Sequence, residues 1–300
     1  VNRNELQQRL RGIHAISIAP FTNEDSIDKA TVERNVEYLV DGGLEVIVAA
    51  GNTGEFYTLS PQERHEIVAL TAGLLEGSEA TLVVGVGFNV AQAIADARHA
   101  ADHGAAAVMV HQPPHPHASA DGFLAYQAAV AAASPLPIIP YVSRPLFAAE
   151  AVPQLIERCE PVAVKYALDD PPALAACVAA DEGRDVVWVA GNAEYWAPSM
   201  WPAGAEGFTS GLVNVAPELS RRMLDGLQSG DAAAVRAIWT QVAPFEQMRA
   251  QDNSAYNVAV VKEALRQRGL SVGSVRPPAS EVGEQMRDQI RALLASWDAS

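Results

Sequence analysis

The 300-residue chain is poor in cysteine: Cys159 and Cys177 are the only two, and their spacing matches no metal-ligand pattern. That shortage argues against a disulfide scaffold and makes a reducing, cytoplasmic compartment the expected location. Basic residues are also few. Lys and Arg number 21 against 36 Asp and Glu, for a formal net charge of -15. A chain of that sign repels nucleic acid and anionic membrane surfaces, so neither is an expected partner. A small anionic substrate stays open, because a site carries its own local field. No apolar run approaches the ~20 residues that cross a bilayer. The polar start, VNRNELQQRLRG, has no signal-peptide apolar stretch. A Gly-x-Gly-x-x-Gly turn is missing as well, which weighs against the dinucleotide-binding form of a doubly wound sheet.

What the sequence does contain is a rhythm. Short apolar runs recur as HAISIAP, LEVIVAAG, TLVVGVG, AAAVMVH, LPIIPYV, PVAVKYA, DVVWVAG and AEGFTSG. Helix-like stretches such as SPQERHEIVALTAGLL and NVAQAIADARHAADHG lie between them. The runs are almost wholly apolar rather than alternating, as parallel strands covered on both faces require. Eight strand–helix units predict an α/β fold, a (β/α)₈ TIM barrel over residues 1–225, with an open sheet as the alternative. Residues 226–300 hold three further helical patterns and predict a C-terminal helical extension packed on the barrel.

Within PVAVKYALDD, Lys165 stands at the carboxyl end of the sixth run, the end where such barrels build active sites. Period-two geometry puts residues 163 and 165 on one face, so the amine can point into the barrel. A desolvated lysine loses its proton and attacks carbonyls. The alternative is a structural ion pair with Asp169. The neighbouring run ends on Tyr141, either a proton relay or a packing aromatic. The second run ends in AAGNTGEFY, where amides near Asn52 and Thr53, with the Thr53 hydroxyl, can hold a carboxylate. Glu55 in the same loop reads as structural, accepting local backbone bonds. The seventh run leads to Gly191, open to close approach, and to Asn192 and Glu194 as polar contacts. His14 reads as a hydrogen-bonded barrel residue, and Trp188, Trp196 and Trp201 as packing residues.

AGNTGEFYTLSPQER, the Tyr141 strand end and VAVK together resemble the dihydrodipicolinate synthase and N-acetylneuraminate lyase superfamily. LVVGVGFNVAQAIADARHAADHGAAAVMV, GAEGFTSGLVNVAPEL and NVAVVKEAL extend the resemblance over nearly the whole chain. It implies a barrel with a C-terminal helical extension and a Schiff base between Lys165 and a 2-keto acid. Tyr141 would be the proton relay and Thr53 part of the carboxylate site. A homodimer or homotetramer is implied too. Neither metal nor cofactor is needed for this chemistry. His111, His115 and His117 of HQPPHPHAS then read as loop residues or, for one of them, a substrate contact, rather than as a metal cluster.

Departures from the synthase accompany the resemblance. Asn52 replaces the first threonine of its Gly-Thr-Thr-Gly-Glu motif. Arg144 lies only three residues after Tyr141, so it does not reproduce the synthase's aldehyde-binding arginine. The 111–119 loop has no tyrosine to offer a neighbouring subunit. GNTGEFYTLSPQE, HASADGFLAYQAAV and GSVRPPAS instead resemble the 5-dehydro-4-deoxyglucarate dehydratases. Two of that branch's motifs differ here: VKYALDD stands for Tyr-Lys-Asp-Gly, and Tyr141-Val142-Ser143 for Tyr-Asn-Arg. The leading expectation is a dehydratase of a keto sugar acid, with His115 and Arg144 as candidate specificity residues. A pyruvate-dependent aldolase and a non-catalytic keto-acid-binding barrel are the alternatives.

Overall fold

The structure, a computed structural model, describes residues 2–145, 147–181 and 183–299. Among these residues eight strands form: β1 (Ile13–Ile16), β2 (Val46–Ala49), β3 (Thr81–Val86), β4 (Ala107–Val110), β5 (Ile138–Val142), β6 (Ala163–Tyr166), β7 (Val187–Ala190) and β8 (Gly207–Ser210). All pair in parallel with their sequence neighbours, and β8 pairs back onto β1, so the barrel closes. The open sheet is therefore excluded.

The strand faces divide as period two dictates. Val46, Val48, Met109, Ile139, Ala163 and Val189 share one buried cluster inside the barrel. Their chain neighbours Ile47, Ala49, Val108, Ile138, Val164 and Ala190 belong to a second cluster between strands and helices. Both faces are dry, which is why the runs read as continuously apolar.

The polar start of the chain is a helix, α1 (Arg3–Leu10), begun by an Asn2–Glu5 capping box. Its two leucines, Leu6 and Leu10, join the interior cluster. Gln7 Nε2 donates to the Asp185 carbonyl at 2.5 Å, just before β7. α1 thus covers the amino ends of the strands and leaves their carboxyl ends as the mouth.

Helices α2 (Lys29–Asp41), α3 (Pro61–Leu75), α4 (Val90–Asp102), α5 (Ala120–Ala133), α6 (Val152–Cys159), α7 (Pro171–Ala180), α8 (Ala193–Met200) and α9 (Pro217–Ser229) follow the strands. Asp28, Ser60, Asn89, Ser119 and Asp170 cap five of them by accepting from backbone amides. In TLSPQER, Ser60 and Glu63 form a full capping box with Pro61 in the first turn. Residues 225 and 226 both fall within α9, so the chain leaves the last barrel helix after Ser229.

The extension consists of α10 (Ala232–Ser254), α11 (Asn257–Gln267) and α12 (Glu284–Asp298). It is tied to the barrel through Glu55. That residue sits at φ 55, in the left-handed region. It ion-pairs with Lys262 of α11 at 2.5 Å, and the two side chains are 2% and 0% exposed. Glu55 also accepts the Arg276 amide at 2.9 Å. Its role is structural, but its partners are long-range rather than local.

Lys262→Met is expected to cost about 3–5 kcal/mol of stability, because it leaves a buried carboxylate unpaired. The loss should appear as a lower urea midpoint. The double variant Glu55→Gln/Lys262→Met should recover most of it; equal losses in single and double variants would contradict the ion-pair reading.

Candidate active site

A cavity of about 570 Å³ opens at the carboxyl ends of the strands. Lys165, Tyr141, Asn52, Thr53, Gly191 and Asn192 all line it. Strand register explains the first two: Tyr141 and Lys165 are direct Cα partners across β5 and β6. Lys165 Nζ lies 4.0 Å from the centre of the Tyr141 ring.

The chain has three lysines, Lys29, Lys165 and Lys262. Lys29 pairs with Glu66 and Lys262 with Glu55. Lys165 is 3% exposed, and among the described residues no carboxylate lies within ion-pair distance of it. The Asp169 pair does not form; Asp169 accepts from Asn192 Nδ2 at 2.6 Å instead. Burial first, and the Arg249 charge second, lower the Lys165 pKa from 10.5 to about 7. A substantial share of the amine is therefore neutral near neutral pH.

Tyr141 is buried too, and burial pushes its phenol well above the ordinary value. It stays protonated where Lys165 titrates. Its oxygen accepts from Asn52 Nδ2 at 3.0 Å, which leaves the phenol hydrogen to donate. Asn52 Oδ1 is buried without a partner among the described residues. The amides of Asn52 and Thr53 donate to no protein acceptor among the described residues. The strand-two loop thus presents donors beside the amine. Its left-handed residues are Ala50 and Glu55 rather than the glycines between them.

Gly191 lines the cavity, and the strand beside it gives a further reason for glycine there. A Cβ there would meet Ala167 Cβ at 2.4 Å and the Tyr166 carbonyl oxygen at 3.0 Å. Glycine allows β7 and the loop after β6 to approach one another. Asn192 donates from Nδ2 to Asp169 and to the Ala167 carbonyl, so its side-chain carbonyl is what remains for a ligand. Glu194 does not line the cavity. It is fully buried, accepts from Ser220 at 2.5 Å, and burial with Glu246 nearby raises its pKa.

His115 and Arg144 do not line the cavity either. Arg144 is exposed and donates to the His115 carbonyl at 2.9 Å. His115 belongs to a separate groove with Phe88, Pro113, Phe123 and Tyr126. His115 lies on the loop after β4 and Arg144 on the loop after β5, and the hydrogen bond between them joins the two loops outside the cavity lining. The three histidines do not gather. His111 is 0% exposed and stacks on Phe56 at 4.1 Å, edge-on to Tyr141, while His115 and His117 face solvent. Burial lowers the His111 pKa well below 6.5, so it is a neutral wall behind the phenol. His14 Nε2 donates to the Leu10 carbonyl, 2.9 Å away, inside the barrel.

Several lining residues were not legible at the strand ends. Thr209 and Gly211 come from β8 and the turn after it. Glu246, Arg249 and Asn257 come from the extension. No local pattern marks them, since Glu246 and Arg249 look like an ordinary helical i, i+3 pair.

A parallel barrel with an unpaired, low-pKa amine at its mouth suits lyase chemistry through a lysine imine. The profile of the Dihydrodipicolinate synthetase family matches residues 9–296. A "Probable 5-dehydro-4-deoxyglucarate dehydratase" from Oceanobacillus iheyensis is 26% identical over 94% of this chain and 93% of its own length. A 4-hydroxy-tetrahydrodipicolinate synthase from Methanothrix thermoacetophila is 27% identical over 95% and 96%. Among solved structures, a dihydrodipicolinate synthase from Oceanobacillus iheyensis superposes with TM-score 0.95 at 36% identity, covering 100% of both chains. One from Bacillus clausii gives 0.94 at 38%, covering 98% and 99%. The chain belongs to the dihydrodipicolinate synthetase family, within the class I Schiff-base lyase superfamily, whose chemistry acts on keto acids.

Proposed function

We propose that the protein is a Schiff-base dehydratase of a keto sugar acid such as 5-dehydro-4-deoxyglucarate. The observation that carries the imine step is Lys165: buried, without a carboxylate partner, and partly neutral near pH 7. Its amine attacks the C2 carbonyl of the keto acid. Tyr141 hands a proton to the carbinolamine oxygen, which leaves as water and gives the iminium. The iminium withdraws electrons from C3, so a C3 proton departs and the C4 hydroxyl is expelled as water. Asn52 fixes the phenol, and the Asn52–Thr53 amides hold the carboxylate so that these transfers occur at close range.

Similarity to a protein named as a dehydratase supports the choice of reaction. So does the absence of Arg144 from the cavity lining, which leaves the synthase's aldehyde arginine without a counterpart at that strand end. A pyruvate-dependent aldolase is the second reading, favoured by the higher identity to structures named dihydrodipicolinate synthase. Product analysis separates them. With 5-dehydro-4-deoxyglucarate, the dehydratase reading expects loss of water and carbon dioxide without any aldehyde partner. Cleavage to pyruvate and a shorter aldehyde acid would establish the aldolase instead.

The pH profile of imine formation follows from the amine. Only the neutral form attacks, so trapping of pyruvate by borohydride should accelerate as pH rises through about 7, the lowered Lys165 value. An inflection near the ordinary lysine value of 10.5 would show that the amine is not desolvated.

A further inference from the structure

Arg249 lies on α10, outside the barrel, yet it lines the same cavity as Lys165 and Thr53. Its side chain is buried, with residue exposure of 6%. Nη1 donates to both oxygens of Glu246 at 2.8 and 2.9 Å. Nε donates to the Asn257 carbonyl at 3.1 Å and Nη2 to Asn257 Oδ1 at 2.6 Å. A guanidinium has five N–H donors. The fifth, on Nη2, has no acceptor among the described residues.

Gly211 shows where that donor sits. A Cβ at this position would be 2.5 Å from Arg249 Nη2 and 2.9 Å from Thr53 Oγ1. Both groups therefore converge on one point in the cavity. Gly211 has φ -98, open to any residue, so space rather than backbone conformation explains the glycine. The Thr53 hydroxyl makes no hydrogen bond to protein among the described residues. The backbone beyond Arg249 leaves the helical path before it reaches Asn257. Asp252, Asn253 and Ser254 have φ of 49, 58 and 65. This left-handed run turns the chain sharply, so that Asn257 faces Arg249. Such strain persists where surrounding structure holds it, often at ligand sites.

We propose that Arg249 is a specificity-determining residue that, with Thr53, grips the carboxylate of the 2-keto acid. One carboxylate oxygen accepts from Nη2; the other accepts from the Thr53 hydroxyl and its loop amides. The inference rests on reading the cavity as a keto-acid imine site, and it adds a residue supplied by the C-terminal helices. Glu246 keeps the guanidinium paired while the cavity is empty, and Nη2 remains to make a charge-assisted bond to substrate. Seating the carboxylate beside Thr53 would present C2 to Lys165. The Arg249 charge also helps to depress the Lys165 pKa, which agrees with its closeness to the amine.

The test compares pyruvate with pyruvamide, which keeps the ketone and replaces the carboxylate by a neutral amide. Half-saturation of borohydride trapping is measured for both. Arg249→Gln should raise the pyruvate value by about 10- to 100-fold, the loss of one hydrogen bond to a charged group, and leave pyruvamide nearly unchanged. Because this variant strands the Glu246 charge, Glu246→Gln/Arg249→Gln is measured beside it. Gly211→Ala, whose methyl displaces Nη2, supplies a third arm with the same expected direction. An equal change for both ligands, or no change for pyruvate in a folded variant, would overturn the proposal. Trapping of neither ligand by the unaltered protein would refute the imine reading itself, and the role of Arg249 with it.

Discussion

Lys165→Ala is expected to abolish the borohydride-trapped pyruvate adduct completely and to leave no measurable turnover. Among the described residues Lys165 is the one lysine without a carboxylate partner: Lys29 and Lys262 are held by Glu66 and Glu55. Neither can stand in for it, because both lie away from the cavity. The fold should survive, since burying an amine without an ion partner costs free energy that a methyl does not. The thermal midpoint of the alanine variant should therefore equal or exceed that of the unaltered protein. Lys165→Arg is expected to fail as well, because guanidinium stays charged and is not an amine nucleophile. An alanine variant that still traps pyruvate would remove Lys165 from the mechanism.

Tyr141→Phe is the second large effect. It keeps the ring that packs against His111 and removes only the hydroxyl that Asn52 holds. Turnover at saturating substrate should fall by about 10²-fold or more, the range of a lost general acid–base group. Imine formation should slow too, since the carbinolamine oxygen then leaves without its proton donor. Circular dichroism should be unchanged. A variant with full turnover would reduce Tyr141 to a packing residue. Asn52→Ala is instructive beside it: the phenol loses the hydrogen bond from Asn52 but keeps its proton, so a smaller loss is expected.

The barrel was legible in the sequence because parallel strands dry on both faces must be apolar throughout. Eight such runs leave little choice of architecture. Lys165 stood out for the same reason, as one polar group in a run with no other cause to carry it. Tyr141 followed from strand order, and the register then placed the two side by side. Other parts were hidden by distance along the chain. Glu55 looks like a turn residue until Lys262, in the extension, is seen against it. Arg249 carries no local mark, because its function depends on Gly211 leaving room for it. The opening helix was masked by its polarity: only Leu6 and Leu10 face the interior. His115 and Arg144 misled because nearness to a strand end in sequence does not fix where a side chain lies: they sit on two different loops and bond each other rather than line the cavity.

In the proposed mechanism a keto acid becomes covalently joined to the chain at Lys165. The most direct test of this step is borohydride reduction of the unaltered protein with pyruvate, followed by peptide mapping by mass spectrometry. With only three lysines to distinguish, the map is unambiguous. One reduced adduct is expected, on the peptide that carries Lys165, with Lys29 and Lys262 unmodified. No adduct, or one on either of those two lysines in place of Lys165, would contradict that mechanism.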